Sequence, residues 1–160
     1  MNSHLNLFKP YSKEDREYQL ENDLTRALAI CLQEEPAFLY EVIKEVFKHK
    51  TGHDTSAFED ISEEADITIS IQEDSSNITD YNHLFAVSLS GAHLDIESFF
   101  DSNHKREYDP ICDLIIQVGD SVIIIEAKRD NTDCTHQLYN QAYNIWKKSK
   151  SREDDEKMQD

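Results

Sequence analysis

An α/β fold, a mixed sheet of about four strands flanked by helices and preceded by an N-terminal helical hairpin, is predicted by three features of the sequence. Two apolar stripes at helical spacing lie side by side near the start, a period-two stretch follows them, and two β-branched runs flank a Gly-Asp pair further on. The 160 residues suit a single domain over 1–150, with 151–160 as a charged tail and candidate linker to a further C-terminal region.

The elements follow in order. Residues 14–33 read as an amphipathic helix with Leu20, Leu24, Ala27, Leu28 and Cys31 as its stripe, and Pro36 breaks it. A second helix begins at Pro36, carries Phe38, Leu39, Val42, Ile43, Val46 and Phe47, and ends before Gly52. From Asp66 to Gln72 apolar and polar residues alternate, the pattern of a strand with one buried face. Residues 84–90 form a second strand, and 92–110 read as irregular. Ile111–Val118 and Ser121–Lys128 are apolar on both faces, so they are expected to be central strands joined through a tight turn at Gly119-Asp120. A third helix begins after Thr135 with Leu138, Ala142, Ile145 and Trp146 on one side. Tyr139, Tyr143 and Trp146, also at helical spacing, read as core.

Charge and cysteine usage narrow the class. The net charge is −17, unfavourable for a nucleic-acid binder as a whole. The negative charge is segregated, however. Residues 1–104 hold 7 basic and 21 acidic side chains, 105–152 hold 8 and 7, and 153–160 hold 1 and 5. Only 105–152 can meet a polyanion without strong local repulsion. Three cysteines without C-x-x-C spacing read as reduced thiols. With no stretch long enough to span a bilayer and no secretory pattern at the start, the expected location is the cytoplasm, away from the membrane.

The chemistry concentrates in the hairpin. With a two-residue loop at Gly119-Asp120, opposed residues place Asp113 across from Glu126, and Lys128 shares their face ~7 Å further along. Adjacent carboxylates at the end of an oily hairpin require a compensating cation or proton. Hard oxygen ligands favour Mg²⁺ or Mn²⁺ over zinc. Of the 16 glutamates, only Glu126 has lysine two positions later, and it directly follows the Val122–Ile125 run. The seven histidines form no ligand spacing and read as surface or loop residues.

The pattern Asp113-x(12)-Glu126-x-Lys128 on a hairpin resembles the motif of the PD-(D/E)xK nuclease superfamily, whose fold is restriction-endonuclease-like. Cys112 stands where that family usually has proline, and the nearby pair is inverted as Asp109-Pro110. The family order is helix, three strands, helix, strand, and no strand is evident after the third helix here. The resemblance implies metal ligation by Asp113, Glu126 and the Ala127 carbonyl, with Lys128 orienting water or stabilising charge on the phosphate. It further implies catalytic roles for Glu21 on the first helix, with Glu17 one turn earlier as the alternative, and for Gln137, on a helix similar to the glutamine-bearing helix of RecB-type nucleases. Gln141 shares the side of Gln137, and with Lys105, Arg106 and Arg129 it is a candidate nucleic-acid contact. The expectation is a metal-dependent nuclease acting on DNA, with RNA as the alternative polymer, as the cleaving module of a bacterial or phage defence system. A homodimer or larger protein complex is the expected assembly. The alternatives are a catalytically silent binding module of the same fold and an acidic mimic of DNA.

Overall fold

The computed structural model describes residues 16–48, 66–100, 110–128 and 131–157. Helices α1 (Arg16–Glu34) and α2 (Pro36–Lys48) precede strands β1 (Ile67–Asp74), β2 (His83–Leu89), β3 (Ile111–Val118) and β4 (Ser121–Ala127), and α3 (Thr135–Lys157) follows. The fold is α/β. Its one four-stranded sheet has the order β1-β3-β4-β2, with β1–β3 and β3–β4 antiparallel and β2–β4 parallel.

The hairpin that is apolar on both faces occupies the middle of the sheet because both of its faces are covered. On one face α1 and α2 bring Ala29, Leu32, Leu39, Ile43 and Phe47 against Ile71, Leu114, Ile116, Ile123 and Ile125. On the other, α3 brings Leu138, Tyr139 and Ile145 against Ile115, Val122 and Ile124. The result is three layers. The parallel place beside β4 is filled by β2, which comes from upstream of the hairpin rather than from beyond α3.

The β3–β4 register pairs Val118 with Ser121 through to Leu114 with Ile125, as the two-residue loop requires. Only Gly119 of the turn is left-handed, at φ 55, the arrangement of a II′ turn, in which glycine takes the first central position. An added Cβ there would meet nothing within 4 Å, so the backbone conformation, not space, selects glycine. Asp120 then fixes the start of β2. Its carboxylate accepts from Asn82 Nδ2 at 2.7 Å and its carbonyl from the Asn82 N–H at 2.7 Å.

Two sequence expectations require correction. The packed face of α1 is Thr25, Arg26, Ala29 and Leu32, while Leu24 is 49% exposed and Cys31 is exposed. Of the stripe read from hydropathy, Leu28 packs against the core while Leu24 and Cys31 do not, because the first half of α1 lies beside the polar end of the sheet, where Asn22 meets Gln72. Trp146 is 50% exposed and is not core, although Tyr139 is. The segment read as a tail is also helical as far as Lys157. Among the described residues, no helix is long and apolar enough to cross a membrane.

Truncating a fully buried leucine removes transfer energy and leaves a cavity. Leu32→Ala is therefore expected to lower the unfolding free energy by about 2–5 kcal/mol in urea titrations, and Leu24→Ala by less than about 1 kcal/mol. Equal losses at both positions would restore the stripe read from hydropathy.

Candidate metal centre

Three elements meet at the end of the sheet where β3 begins and β4 finishes. The β3–β4 ladder stops at Leu114–Ile125. One step beyond, the Asp113 carboxylate takes the place of a backbone acceptor, receiving the Ala127 N–H on Oδ2 at 3.0 Å. Its other oxygen accepts from Gln72 Nε2 at 3.2 Å. Gln72 itself is left-handed at φ 52, the only non-glycine residue so placed among those described. It also drops out of the β1–β3 pairing, which covers Ile71–Leu114 and resumes at Glu73–Cys112. A non-glycine side chain in this conformation is strained. Here the strain turns the Gln72 amide onto Asp113, with Asn22 Oδ1 of α1 at 3.4 Å from the same nitrogen.

Glu126, the last glutamate of β4 before Ala127, has no solvent exposure. Its Oε1 accepts from Lys128 Nζ at 2.5 Å, and its Oε2 accepts from Gln141 Nε2 at 3.0 Å. Burial, and then the nearby charge of Asp113, push its pKa up to about 7 against the pull of Lys128 and Gln141. The same surroundings push the buried Cys112 thiol up to about 12, burial first and the Glu126 and Asp113 charges next.

Helix α3 is aimed at this site by its own start. Asp133 accepts from the Thr135 N–H at 2.8 Å and the Thr135 hydroxyl at 2.6 Å, which holds its carboxyl below the usual range and suits the positive end of the helix. Ser88, beside Glu126 in the β2–β4 register, contacts Cys134 with Oγ and Sγ 3.0 Å apart. Two turns into α3, Gln141 spans Glu126 Oε2 and the Ile111 carbonyl, the latter at 2.9 Å. Both protons of its Nε2 are thus engaged, while Oε1 is buried and has no partner among the described residues.

The structure therefore brings Asp113, Glu126, Ala127 and Lys128 to one end of the sheet, as the spacing predicts. The glutamine that reaches Glu126 is Gln141, expected to contact nucleic acid. Gln137, expected to be catalytic, is partly exposed one turn earlier. Glu21 lies in α1 beside Asn22, but its side chain is outside the described residues, as are Lys105, Arg106, Asp109 and Arg129. Gln72 and Asn22 went unread. The alternation of Asp66–Gln72 breaks at Glu73, one residue beyond Gln72, and that break is the sequence signal nearest to it.

The two carboxylates are chemically suited to a hard divalent ion, and the Gln141 amide oxygen beside them is buried without a hydrogen-bond partner among the described residues. Among the described residues, no group of three His, Cys, Asp or Glu side chains assembles as a metal cluster. No family model, no curated protein and no solved structure matches the chain.

A carboxylate whose pKa is raised on folding makes the native state hold a proton that the unfolded chain releases. Stability of the metal-free protein is thus expected to fall as pH rises from about 4.5 to about 7, by on the order of 3 kcal/mol. Denaturant midpoints across this window should show the decline in the wild type and not in Glu126→Gln. Parallel profiles for the two proteins would mean that Glu126 is ionised throughout.

Proposed function

We propose that this protein is a nuclease dependent on Mg²⁺ or Mn²⁺ that hydrolyses phosphodiester bonds of DNA. The observation that carries this reading is a wholly buried glutamate beside an aspartate, with a lysine on the glutamate, at the open end of the two central strands. A structural ion pair would need one acid and one base. The second acid is surplus to it and leaves negative charge that a divalent ion compensates.

Asp113, Glu126 and the Ala127 carbonyl would hold the ion, which when bound lowers the pKa of water and neutralises charge on the phosphate. The chain's own part is positional. The Ala127 N–H and the Gln72 amide fix both oxygens of Asp113, and Gln141 fixes Glu126 from the side of α3. The Lys128 side chain, held by Glu126 through its ammonium, is 16% exposed. There the ammonium would align a water or stabilise a phosphate oxygen as charge develops on it. The reaction is assigned to the cytoplasm, and the three cysteines are free. A role as the cleaving module of a bacterial or phage defence system, in a homodimer or larger complex, extends the same reading.

One observation favours a second reading, a catalytically silent module of the same fold. Every carboxylate oxygen of Asp113 and Glu126 already receives one proton donor from the protein, so the cluster can be a self-contained polar clasp. Plasmid relaxation separates the two. The wild type is expected to nick supercoiled DNA with Mg²⁺ or Mn²⁺ and not with EDTA. Lys128→Ala and Asp113→Ala are each expected to lose about 10²-fold or more. Activity surviving both substitutions would remove the site, and inactivity in every metal would favour the silent module.

Gln141→Leu, which keeps the bulk but removes the amide, is expected to lower the cleavage rate about tenfold or more while leaving the circular dichroism spectrum unchanged. A rate equal to wild type would leave Gln141 with packing alone.

A further inference from the structure

Helix α3 carries a row of aromatic rings that leads away from the carboxylates. Tyr139 is buried against Phe99, with centroids 5.6 Å apart at 77°. Tyr139 stacks on Tyr143 at 5.9 Å and 13°. Tyr143 in turn meets Trp146 at 5.8 Å and 38°. Exposure rises outward along this row: Tyr139 is 7% exposed and Trp146 50% exposed. Gln141, two residues beyond Tyr139, turns to the other side of the helix, onto Glu126.

Trp146 stays half-exposed where it meets Tyr143, which leaves indole surface open to a further aromatic partner. The charge around it is also unlike the rest of the molecule. Aspartate and glutamate make up 33 of 160 residues, yet from Thr135 to Arg152 there is none, and Lys147, Lys148, Lys150 and Arg152 fall in that stretch. Lys147, exposed, is four residues beyond Tyr143 and so continues its side of the helix. Lys148 lies within the field of Asp74, so among the described side chains Lys147 is the cation that extends the row.

A half-exposed indole against a partly exposed tyrosine, with ring centroids 5.8 Å apart and an exposed lysine beside them, suits unpaired bases and their phosphates. A paired duplex hides its base faces and offers nothing to stack. We propose that Tyr143, Trp146 and Lys147 form a stacking platform for single-stranded DNA. The platform stands apart from the nuclease reading above.

Trp146 is the only tryptophan of the chain, so intrinsic emission reports this site alone. Titrating the full chain with oligo(dT), with calcium in place of magnesium to suppress cleavage, is expected to quench the emission, and a blunt duplex of equal length to leave it unchanged. By fluorescence anisotropy of a labelled oligo(dT), Trp146→Ala and Tyr143→Ala are each expected to weaken binding roughly 5- to 100-fold. Trp146→Phe should retain most of the affinity, and Trp146→Ala, at a half-exposed position, should keep the wild-type thermal midpoint within a few degrees. Absence of quenching, equal quenching by the duplex, or unchanged affinity in Trp146→Ala would each overturn the platform. Quenching and stacking losses in a protein that cuts nothing would uphold the platform and count only against the nuclease reading, while cleavage without quenching would do the reverse.

Discussion

A carboxylate with no access to water, at the end of a strand composed of valine and isoleucine, is stable only if its surroundings supply protons or positive charge. Glu126 is that carboxylate, and the neighbouring structure is arranged around it. Lys128 supplies a charge from the same strand and Gln141 supplies a proton from α3. Asp113 works in the opposite direction, adding negative charge where burial has already made it unfavourable. The site therefore stores a demand for a cation that the protein meets in part, and the metal-dependent reading follows from the unmet part.

This demand also accounts for local irregularity. Regular antiparallel pairing is given up at the position where β1 and β3 bring Gln72 opposite Asp113, and Gln72 adopts a left-handed backbone. The ladder between β3 and β4 stops at the same level, and the Ala127 N–H goes to a side chain instead. Both departures orient Asp113. A sheet that was only a scaffold would have continued its pairing there.

The central hairpin was the most legible part in the sequence, because uninterrupted β-branched runs around Gly119-Asp120 leave few alternatives, and the register that aligns position 113 with 126 follows from turn length alone. Helix α2 was legible for a similar reason, its stripe being strong enough to fix the buried face at Leu39, Ile43 and Phe47. The face of α1 was not, since Thr25 and Arg26 occupy buried positions that no hydropathy pattern marks. The exchange of Gln137 for Gln141 was beyond reach as well. Both lie on one side of α3, and choosing between them requires knowing how far the helix start, held by Asp133 and Cys134, sits from Glu126. Trp146 misled because helical spacing to Tyr139 indicates a shared side but says nothing of where the layer beneath it ends.

The most direct test of the centre is diffraction from crystals soaked in manganese, with data collected at the metal edge. An anomalous peak within coordination distance of both the Asp113 and Glu126 carboxylates is the expected result. A map with no peak between these carboxylates at saturating manganese, and Glu126 still clasped only by Lys128 and Gln141, would contradict a metal centre at this end of the sheet.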